Sequence, residues 1–262
     1  MSPADGQGSI DPRIRERRES VERSRTQKRL RWAAAVFGVA ALVALAVGLL
    51  HTPWFQAKVV TITGAHPNTP DLAIVNAAGL LHHPPLVSVD PGPTAARVDS
   101  LPFIASAQVT RHWPDGVTIH VTERKPVVAM AGPAASWSTL DGNGRTLAVN
   151  PGRPVLPVLI VHGPTGPVPP APVGGTVPAP AVPGLAVARS LPPAFAGQVV
   201  SITVAADGTV SLALSSNLTV LLGTVSDLTA KYEDVAAIIA HAPLRGAHTI
   251  DVTVPQSPTV GP

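Results

Sequence analysis

The chain contains no cysteine and few aromatic residues, and each scarcity excludes a class of protein. Without cysteine, disulfide scaffolds, zinc ribbons and thiol nucleophiles are all excluded. Aromatic residues make up only 3% of the chain, whereas hydrophobic residues make up 45%, so Val, Leu, Ile and Ala must fill the core. Such a core favours β-strands over long helices. The 30 prolines are unsuited to central strands and helix interiors, so they predict many short elements.

One long apolar run, WAAAVFGVAALVALAVGLL, follows a strongly basic segment. As a helix the run spans roughly 28 Å, close to the thickness of the hydrocarbon layer of a membrane. Nearly half of the 19 Lys and Arg residues lie at 12–31, whereas Lys58 is the only one between residues 51 and 92. This asymmetry predicts a cytoplasmic tail at 1–31, a transmembrane helix at 32–51 and a single-pass protein whose remaining residues lie outside.

The N-terminal region also allows two alternative interpretations. A cleaved signal peptide is suggested by Ala44 and Ala46, which form an A-x-A site. The apolar run continues through Leu50 after that site, which favours a retained anchor. The arginine-rich tail could bind nucleic acid, but it has no interleaved aromatic residues. Topology and attraction to anionic lipids account for its charge without a nucleic-acid partner.

The first segment outside the membrane predicts a βααββ unit over residues 57–127. An alternating, β-branched run begins at Lys58, and two stretches with helical spacing of apolar residues follow. Two further alternating runs flank a Pro-Asp-Gly turn at 114–116. Asp-Gly between alternating runs is a strong signal for a β-hairpin.

The second segment, residues 128–262, predicts a mixed, mainly antiparallel β-domain with a C-terminal helix and a final strand. The fold class is therefore α+β. The helix begins near Asp227 and places Leu228, Tyr232, Val235 and Ile239 on one face. The Pro/Gly-rich insert at 164–184 lacks periodicity and is predicted to be an extended, mobile loop. It has no flanking basic residues that would favour a polyproline ligand.

No set of residues in the sequence indicates a catalysed reaction, a metal site or a cofactor site. His82 and His83 are the only close histidine pair, and adjacent loop side chains point apart. Asp141, Asn143 and Gly144 faintly resemble a calcium loop, but the other acidic ligands are missing. The common hydrolase, protease and phosphate-binding motifs are absent. The sequence therefore predicts neither an enzyme nor a small-molecule substrate.

The residues R-H-W-P-D-G-V-T-I-H-V-T-E-R-K-P-V at 111–127 follow the tail, the apolar run and VVTITGA in an order that resembles the FtsQ/DivIB family of bacterial cell division proteins. Trp113-Pro114 and Glu123-Arg124-x-Pro126 are the most specific part of the resemblance. It implies that the βααββ unit is a polypeptide-binding POTRA domain and that the protein is not an enzyme. It also implies that Asp141 and Gly144 hold a tight hairpin turn.

The resemblance further implies a divisome scaffold at the division septum. Its partners would be FtsB (or DivIC) and FtsL, and through them FtsW and its transpeptidase, which make septal peptidoglycan. The final strand is predicted over 248–260, with breaks at Pro255 and Pro258. By position in the family, the partner pairs with it at Thr249, Ile250, Asp251, Val252, Thr253 and Val254, and the pairing could extend through Val260. An edge strand can accept another chain in this way. Thr253 stands where the family often has arginine, and Pro255 interrupts the edge, so the pairing could be shorter.

Three alternatives stay open at the level of sequence. The final strand could merely close the sheet. The chain could be a POTRA-containing export or assembly factor, although it has neither an outer-membrane barrel nor a series of POTRA repeats. An anchored enzyme would need a residue set that the sequence does not offer. The bias towards Ala, Val, Pro, Gly and Arg indicates a high-GC bacterium, such as an actinomycete.

Overall fold

The computed structural model describes residues 12–64, 67–241, 246, 248–255 and 257–261, so residues 1–11 of the predicted tail lie outside it. Contacts divide the chain into two compact units. The smaller unit contains the residues up to Val59 together with His83–Val89 and His112–Gly116, and the larger unit contains the rest. The predicted domain limits, 57–127 and 128–262, do not coincide with these units, and they stay a prediction.

After the long helix α1, the described residues form short helices and strands. The helices are α1 (Pro12–Leu50), α2 (Asp71–Ala78), α3 (Pro91–Asp99), α4 (Val182–Ser190), α5 (Pro193–Ala196) and α6 (Leu228–His241). The strands are β1 (Val59–Thr63), β2 (Ile104–His112), β3 (Gly116–Glu123), β4 (Pro126–Ala131), β5 (Trp137–Asp141), β6 (Thr146–Asn150), β7 (Val158–Gly163), β8 (Gly166–Pro167), β9 (Val199–Val204), β10 (Val210–Leu214), β11 (Thr219–Gly223), β12 (Thr249–Asp251) and β13 (Thr259–Gly261). The predicted α+β class is confirmed.

Helix α1 contains the predicted membrane segment. Among the described residues, Leu30–Leu50 is the one segment that is long and apolar enough to cross a membrane. Its limits differ slightly from the predicted 32–51, because the chain leaves the helix after Leu50 and the helix continues towards the N-terminus to Pro12. The side chains of residues 30–49 are exposed, as expected for a helix that contacts lipid.

The predicted βααββ order is confirmed by β1, α2, α3, β2 and β3. The three strands form one sheet in the order β1-β3-β2. Buried Ile74 and Val98, from α2 and α3, supply the helical side of the core, and Ile119 supplies part of the strand side. Gly79 ends α2 in the left-handed conformation, with φ of 75°, which glycine adopts without the strain that a Cβ brings.

The remaining strands form a ten-stranded sheet, along the path β13-β12-β11-β10-β9-β7-β4-β5-β6, with β8 paired to β7. The pairs β4/β7, β7/β9 and β11/β12 are parallel, and the other pairs on the path are antiparallel. Helix α4 contacts β4, β7 and β9, and α6 contacts β11. One aliphatic core results, as the scarcity of aromatic residues requires.

The predicted apolar face of α6 is correct except at its C-terminal end. Tyr232 and Val235 are buried in the core, and Leu228 is partly buried against it. Ile239, however, is exposed, and Ile238 packs against the core instead. The core therefore contacts the residue three positions after Val235 and not the residue four positions after it, and both spacings lie near one turn of a helix.

Lys231 is a fully buried lysine on the same face of α6. Its Nζ donates to the carbonyl oxygens of Leu222 and Thr224, each at 2.8 Å. These carbonyls lie at and just beyond the end of β11, so the lysine connects α6 to that strand. Burying an ammonium group is costly unless hydrogen bonds replace its hydration, and two carbonyl oxygens do so here.

We predict that Lys231→Ala lowers the free energy of unfolding by about 2–4 kcal/mol, because it removes a buried stem and leaves two carbonyls unpaired. Lys231→Met retains the stem and should lose less. Urea denaturation of the chain in detergent measures both, and the exposed Lys58→Ala is the control. Equal stability of Lys231→Ala and Lys58→Ala would contradict this role.

Candidate protein-binding surface

One end of the large sheet consists of two short strands, β12 and β13. The predicted final strand, 248–260, is longer than the observed one, because β12 ends at Asp251. The Asp251 carboxylate accepts a hydrogen bond at 2.9 Å from the backbone N–H of Thr253. This bond stabilises a local bend in the chain directly after β12. The prediction that residues 249–254 form the outermost strand is wrong, because β13 pairs with β12 on its outer side.

β12 is firmly attached to the sheet. It runs parallel to β11 with Thr249 opposite Thr219, and the Val252 N–H extends the pairing by donating to the Leu221 carbonyl at 3.0 Å. Ile250 and Val252 are fully buried in the core. Of the six residues predicted to bind a partner, these two therefore hold the strand in place, while Thr253 and Val254 are exposed.

β13 is weakly attached by comparison. It pairs antiparallel with β12 through three residue pairs, including Ile250 with Val260. The His248 N–H also donates to the Gly261 carbonyl at 3.0 Å. None of its three residues is buried, and Val260 is 43% exposed. Because β13 buries no side chain, little apolar burial stabilises its pairing with β12. The segment that leads to β13 also contains Pro255 and Pro258.

At the opposite end of the sheet, the Pro/Gly-rich insert pairs with the first residue of β6, Thr146, while Val149 and Asn150 at the other end of that strand are exposed. Thr146 donates its N–H to the Gly175 carbonyl at 2.9 Å, and its carbonyl accepts from the Gly174 N–H at 2.8 Å. Val177 and Ala181 of the insert are buried in the core. The prediction that this segment is a mobile loop is wrong for these residues, because they carry backbone pairing and core contacts.

The Glu-Arg-x-Pro motif and the hairpin aspartate meet in the larger unit. Arg124 Nη1 lies 2.9 Å from Asp141 Oδ2, with the side chains 20% and 6% exposed. Arg124 Nε also donates to the Ile104 carbonyl at 3.0 Å. The other carboxylate oxygen of Asp141 accepts from the N–H groups of Asn143 and Arg145, both at 2.9 Å. The Asp141 carboxylate therefore stabilises its own turn and also binds Arg124, which directly follows β3.

The remaining motif residues of this region have defined places. Glu123 accepts hydrogen bonds from the backbone N–H and side-chain amide of Asn68, at 3.2 and 3.1 Å. Pro126 opens β4 opposite Asp141. Gly144 has φ of 80°, and a Cβ on it would lie 2.7 Å from side-chain atoms of Leu185 and Val177. Glycine is thus required for both conformation and space.

Trp113 and Pro114 lie in the smaller unit, in the turn between β2 and β3, and are exposed. The Trp113 ring contacts Phe55, with centroids 6.0 Å apart and planes inclined by 63°. Arg124 and Asp141 belong to the larger unit. Their environment lies beside the end of α1.

The described residues contain no cluster of three or more His, Cys, Asp or Glu side chains that could hold a metal ion. The oxygens of Asp141 are engaged by the two turn N–H groups and by Arg124, so the faint resemblance to a calcium loop reflects a hairpin turn. His83 Nδ1 donates to the Ala57 carbonyl at 2.9 Å.

Sequence reasoning missed three features of this surface. β13 was not anticipated as a separate strand, because the sequence pattern places Thr259 and Val260 in the same final strand as β12, beyond the breaks at Pro255 and Pro258. The contact between the insert and the sheet was not predicted, because a segment rich in Pro and Gly shows no periodic pattern. The burial of Lys231 did have a signal in the sequence, because the residue precedes Tyr232 on the apolar face of α6.

Tyr232 is also buried, and burial raises the pKa of its hydroxyl, while a hydrogen bond with Ser190 opposes the shift.

Comparison with known proteins gives two family matches and several relatives. The model of the POTRA domain, FtsQ-type, matches residues 55–124. The model of the cell division protein FtsQ/DivIB, C-terminal, matches residues 132–253. Together these ranges contain both the Arg124–Asp141 pair and β12.

The relatives are actinobacterial proteins named cell division protein FtsQ. The one from Mycobacteroides abscessus is 29% identical, with 99% of this chain and 89% of that protein covered. The one from Mycolicibacterium smegmatis is 31% identical, with coverages of 97% and 70%. The one from Streptomyces collinus is 30% identical, with coverages of 94% and 97%.

We predict that Asp141→Ala lowers the free energy of unfolding by about 2–4 kcal/mol, because it leaves Arg124 and two turn N–H groups without their acceptor. Asp207 is a matched control in another Asp-Gly hairpin turn, between β9 and β10. It is exposed, and hydrogen bonds from the backbone and hydroxyl of Thr209 lower its pKa. Asp207→Ala should cost clearly less. Equal losses in thermal or urea denaturation would show that the Arg124 pair contributes nothing.

Proposed function

Because the chain belongs to the FtsQ/DivIB family of cell division proteins, we propose that it is a bitopic divisome scaffold. Its tail lies in the cytoplasm, and its POTRA domain (57–127) and β-domain (128–262) lie outside the membrane at the division septum. It binds FtsB (or DivIC) and FtsL, and through them it helps to control septal peptidoglycan synthesis by FtsW and its transpeptidase.

The proposed orientation is supported by charge. Basic residues are concentrated at 12–31, before the apolar part of α1, and Lys58 is the only Lys or Arg in the forty-odd residues that follow the span. An excess of Lys and Arg next to a membrane-spanning helix marks the cytoplasmic side.

The observation that carries the proposed partner site is the contrast between β12 and β13. β12 is anchored by buried Ile250 and Val252, and β13 has no buried side chain. We place the partner's strand on β12, at Thr249–Asp251, in the position that β13 occupies in the unbound chain. Such β-addition recognises mainly the backbone, and the exposed Thr253 and Val254 extend the surface for side-chain contacts.

The opposite edge is a poorer site for a partner. There the insert forms hydrogen bonds with both the N–H and the carbonyl of Thr146. It also contributes Val177 and Ala181 to the buried core. Displacing it would expose part of the core. Displacing β13 would break three residue pairs and expose no buried side chain of β13, so a partner strand that forms equivalent pairs and adds apolar contacts can replace it.

A reversible covalent lock on β13 tests this proposal. Asp251 and Thr259 are directly opposite in the β12–β13 pair, a separation that a disulfide spans. We predict that the double variant Asp251→Cys, Thr259→Cys binds the exported segments of FtsB and FtsL when reduced. When oxidised it should bind at least about tenfold more weakly, because β13 can no longer leave. The chain has no native cysteine, so the lock is the only disulfide within it.

The control is a lock inside the sheet. Thr203 and Ser211 are opposite each other in the β9–β10 pair, and Thr203→Cys, Ser211→Cys should bind the partners equally in both redox states. Equal binding by the reduced and oxidised β12–β13 variant would show that β13 need not leave. No binding by the wild-type full chain would contradict the scaffold function itself.

A further inference from the structure

Three aromatic residues from two distant parts of the sequence lie together in the smaller unit. Trp54 and Phe55 follow α1, and Trp113 comes from the turn between β2 and β3. The Trp113 ring packs against Phe55 in an edge-on arrangement at 6.0 Å. Yet Trp54 is 81% exposed and Trp113 is 51% exposed. We call Trp54, Phe55 and Trp113 the aromatic platform.

Two residues of the aromatic platform, Trp54 and Phe55, are joined to the end of α1 by a hydrogen-bonded stretch of backbone. The His51 N–H donates to the Gly48 carbonyl at 3.2 Å, and the Thr52 N–H donates to the Leu49 carbonyl at 3.0 Å. The Thr52 hydroxyl donates to the same Leu49 carbonyl at 2.7 Å, and Pro53–Phe55 then forms a single 3₁₀ turn. Trp54 and Phe55 are therefore held within a few residues of the end of the membrane-spanning segment.

The turn between β2 and β3 is tied to the same segment by backbone hydrogen bonds. The carbonyl of Asp115 accepts from the N–H of Lys58 at 3.0 Å and from the N–H of Val59 at 3.1 Å. Trp113 is thus positioned by the backbone as well as by its contact with Phe55. It lies near the end of α1 although more than fifty residues separate the two in sequence.

The chemistry of the platform suits the interface of a bilayer. Leu49, Thr52, Pro53, Trp54 and Phe55 line an open groove of about 570 Å³. Tryptophan is enriched where hydrocarbon meets lipid headgroups, because its ring is apolar and its N–H can be hydrated. Lys58 and His112 are exposed nearby, and basic side chains favour anionic headgroups.

We propose that Trp113 binds the outer lipid interface of the membrane together with Trp54 and Phe55. The turn between β2 and β3 is then a second membrane contact of the exported part, in addition to α1. The occupant of the groove is lipid because α1 ends at Leu50, three residues before Pro53. A bilayer that surrounds Leu30–Leu50 necessarily reaches this level. The Trp-Pro motif thereby has a role separate from binding division proteins.

Tryptophan fluorescence of the full chain in anionic liposomes tests the proposal. Three single-tryptophan variants retain Trp54, Trp113 or Trp137, with the other tryptophans, including Trp32, changed to Phe. Brominated phospholipids quench rings within the bilayer, and acrylamide quenches rings in water. We expect brominated lipid to quench Trp113 by a fraction comparable to that of Trp54, and to leave the control Trp137, in the larger unit, unquenched.

Two outcomes overturn the proposal. In one, Trp113 is quenched by acrylamide and not by brominated lipid while Trp54 responds to the lipid. In the other, Trp113 is shielded from both quenchers and becomes accessible as protein is diluted in lipid, which would identify a second copy of the chain as the occupant. Neither outcome depends on whether the protein binds FtsB or FtsL.

A second measurement leaves every tryptophan in place. His112→Cys introduces the sole thiol next to Trp113, and a nitroxide attached to it reports its access to oxygen and to a water-soluble nickel complex. We expect high access to oxygen and low access to nickel in liposomes, relative to the exposed control Ser226→Cys. Equal accessibilities at the two positions would overturn the proposal.

Discussion

The ends of an open sheet offer backbone groups for pairing, and this protein covers β6 and β12, near its two ends, in different ways. At β6 a Pro/Gly-rich segment supplies backbone hydrogen bonds and buries Val177 and Ala181. At β12 the strand β13 supplies three residue pairs and no buried side chain. Unpaired edges invite pairing with other chains. The end with the weaker cover is therefore the one from which a partner's strand can gain most.

The rest of the larger unit keeps that end in a fixed place. Ile250 and Val252 hold β12 to a core of aliphatic side chains, and Lys231 connects α6 to the end of the neighbouring strand, β11. Farther along the sheet, Asp141 joins the turn between β5 and β6 to Arg124 at the end of β3. These contacts are aliphatic packing, backbone pairing and buried polar hydrogen bonds, which together give the fold much of its specificity.

Sequence patterns predicted the elements whose signals are local. The hairpin around Asp115 and the helix that ends at Gly79 follow from turn and cap chemistry, and the α+β class follows from the order of these elements. Patterns failed where distant segments compete for the same backbone groups. Whether β12 is an edge depends on Thr259–Gly261, which has no period of its own. Ile238 and Ile239 are equally apolar, and only packing decides which one faces the sheet.

The proposed exchange at β12 is tested most directly by hydrogen–deuterium exchange of the full chain with and without the exported segments of FtsB and FtsL. If the partner replaces β13, the amides of residues 249–252 become more slowly exchanging in the complex, while those of 259–261 become faster because they lose their partner strand. Slower exchange of 259–261 in the complex, or protection that appears at β6 and not at β12, would contradict the account.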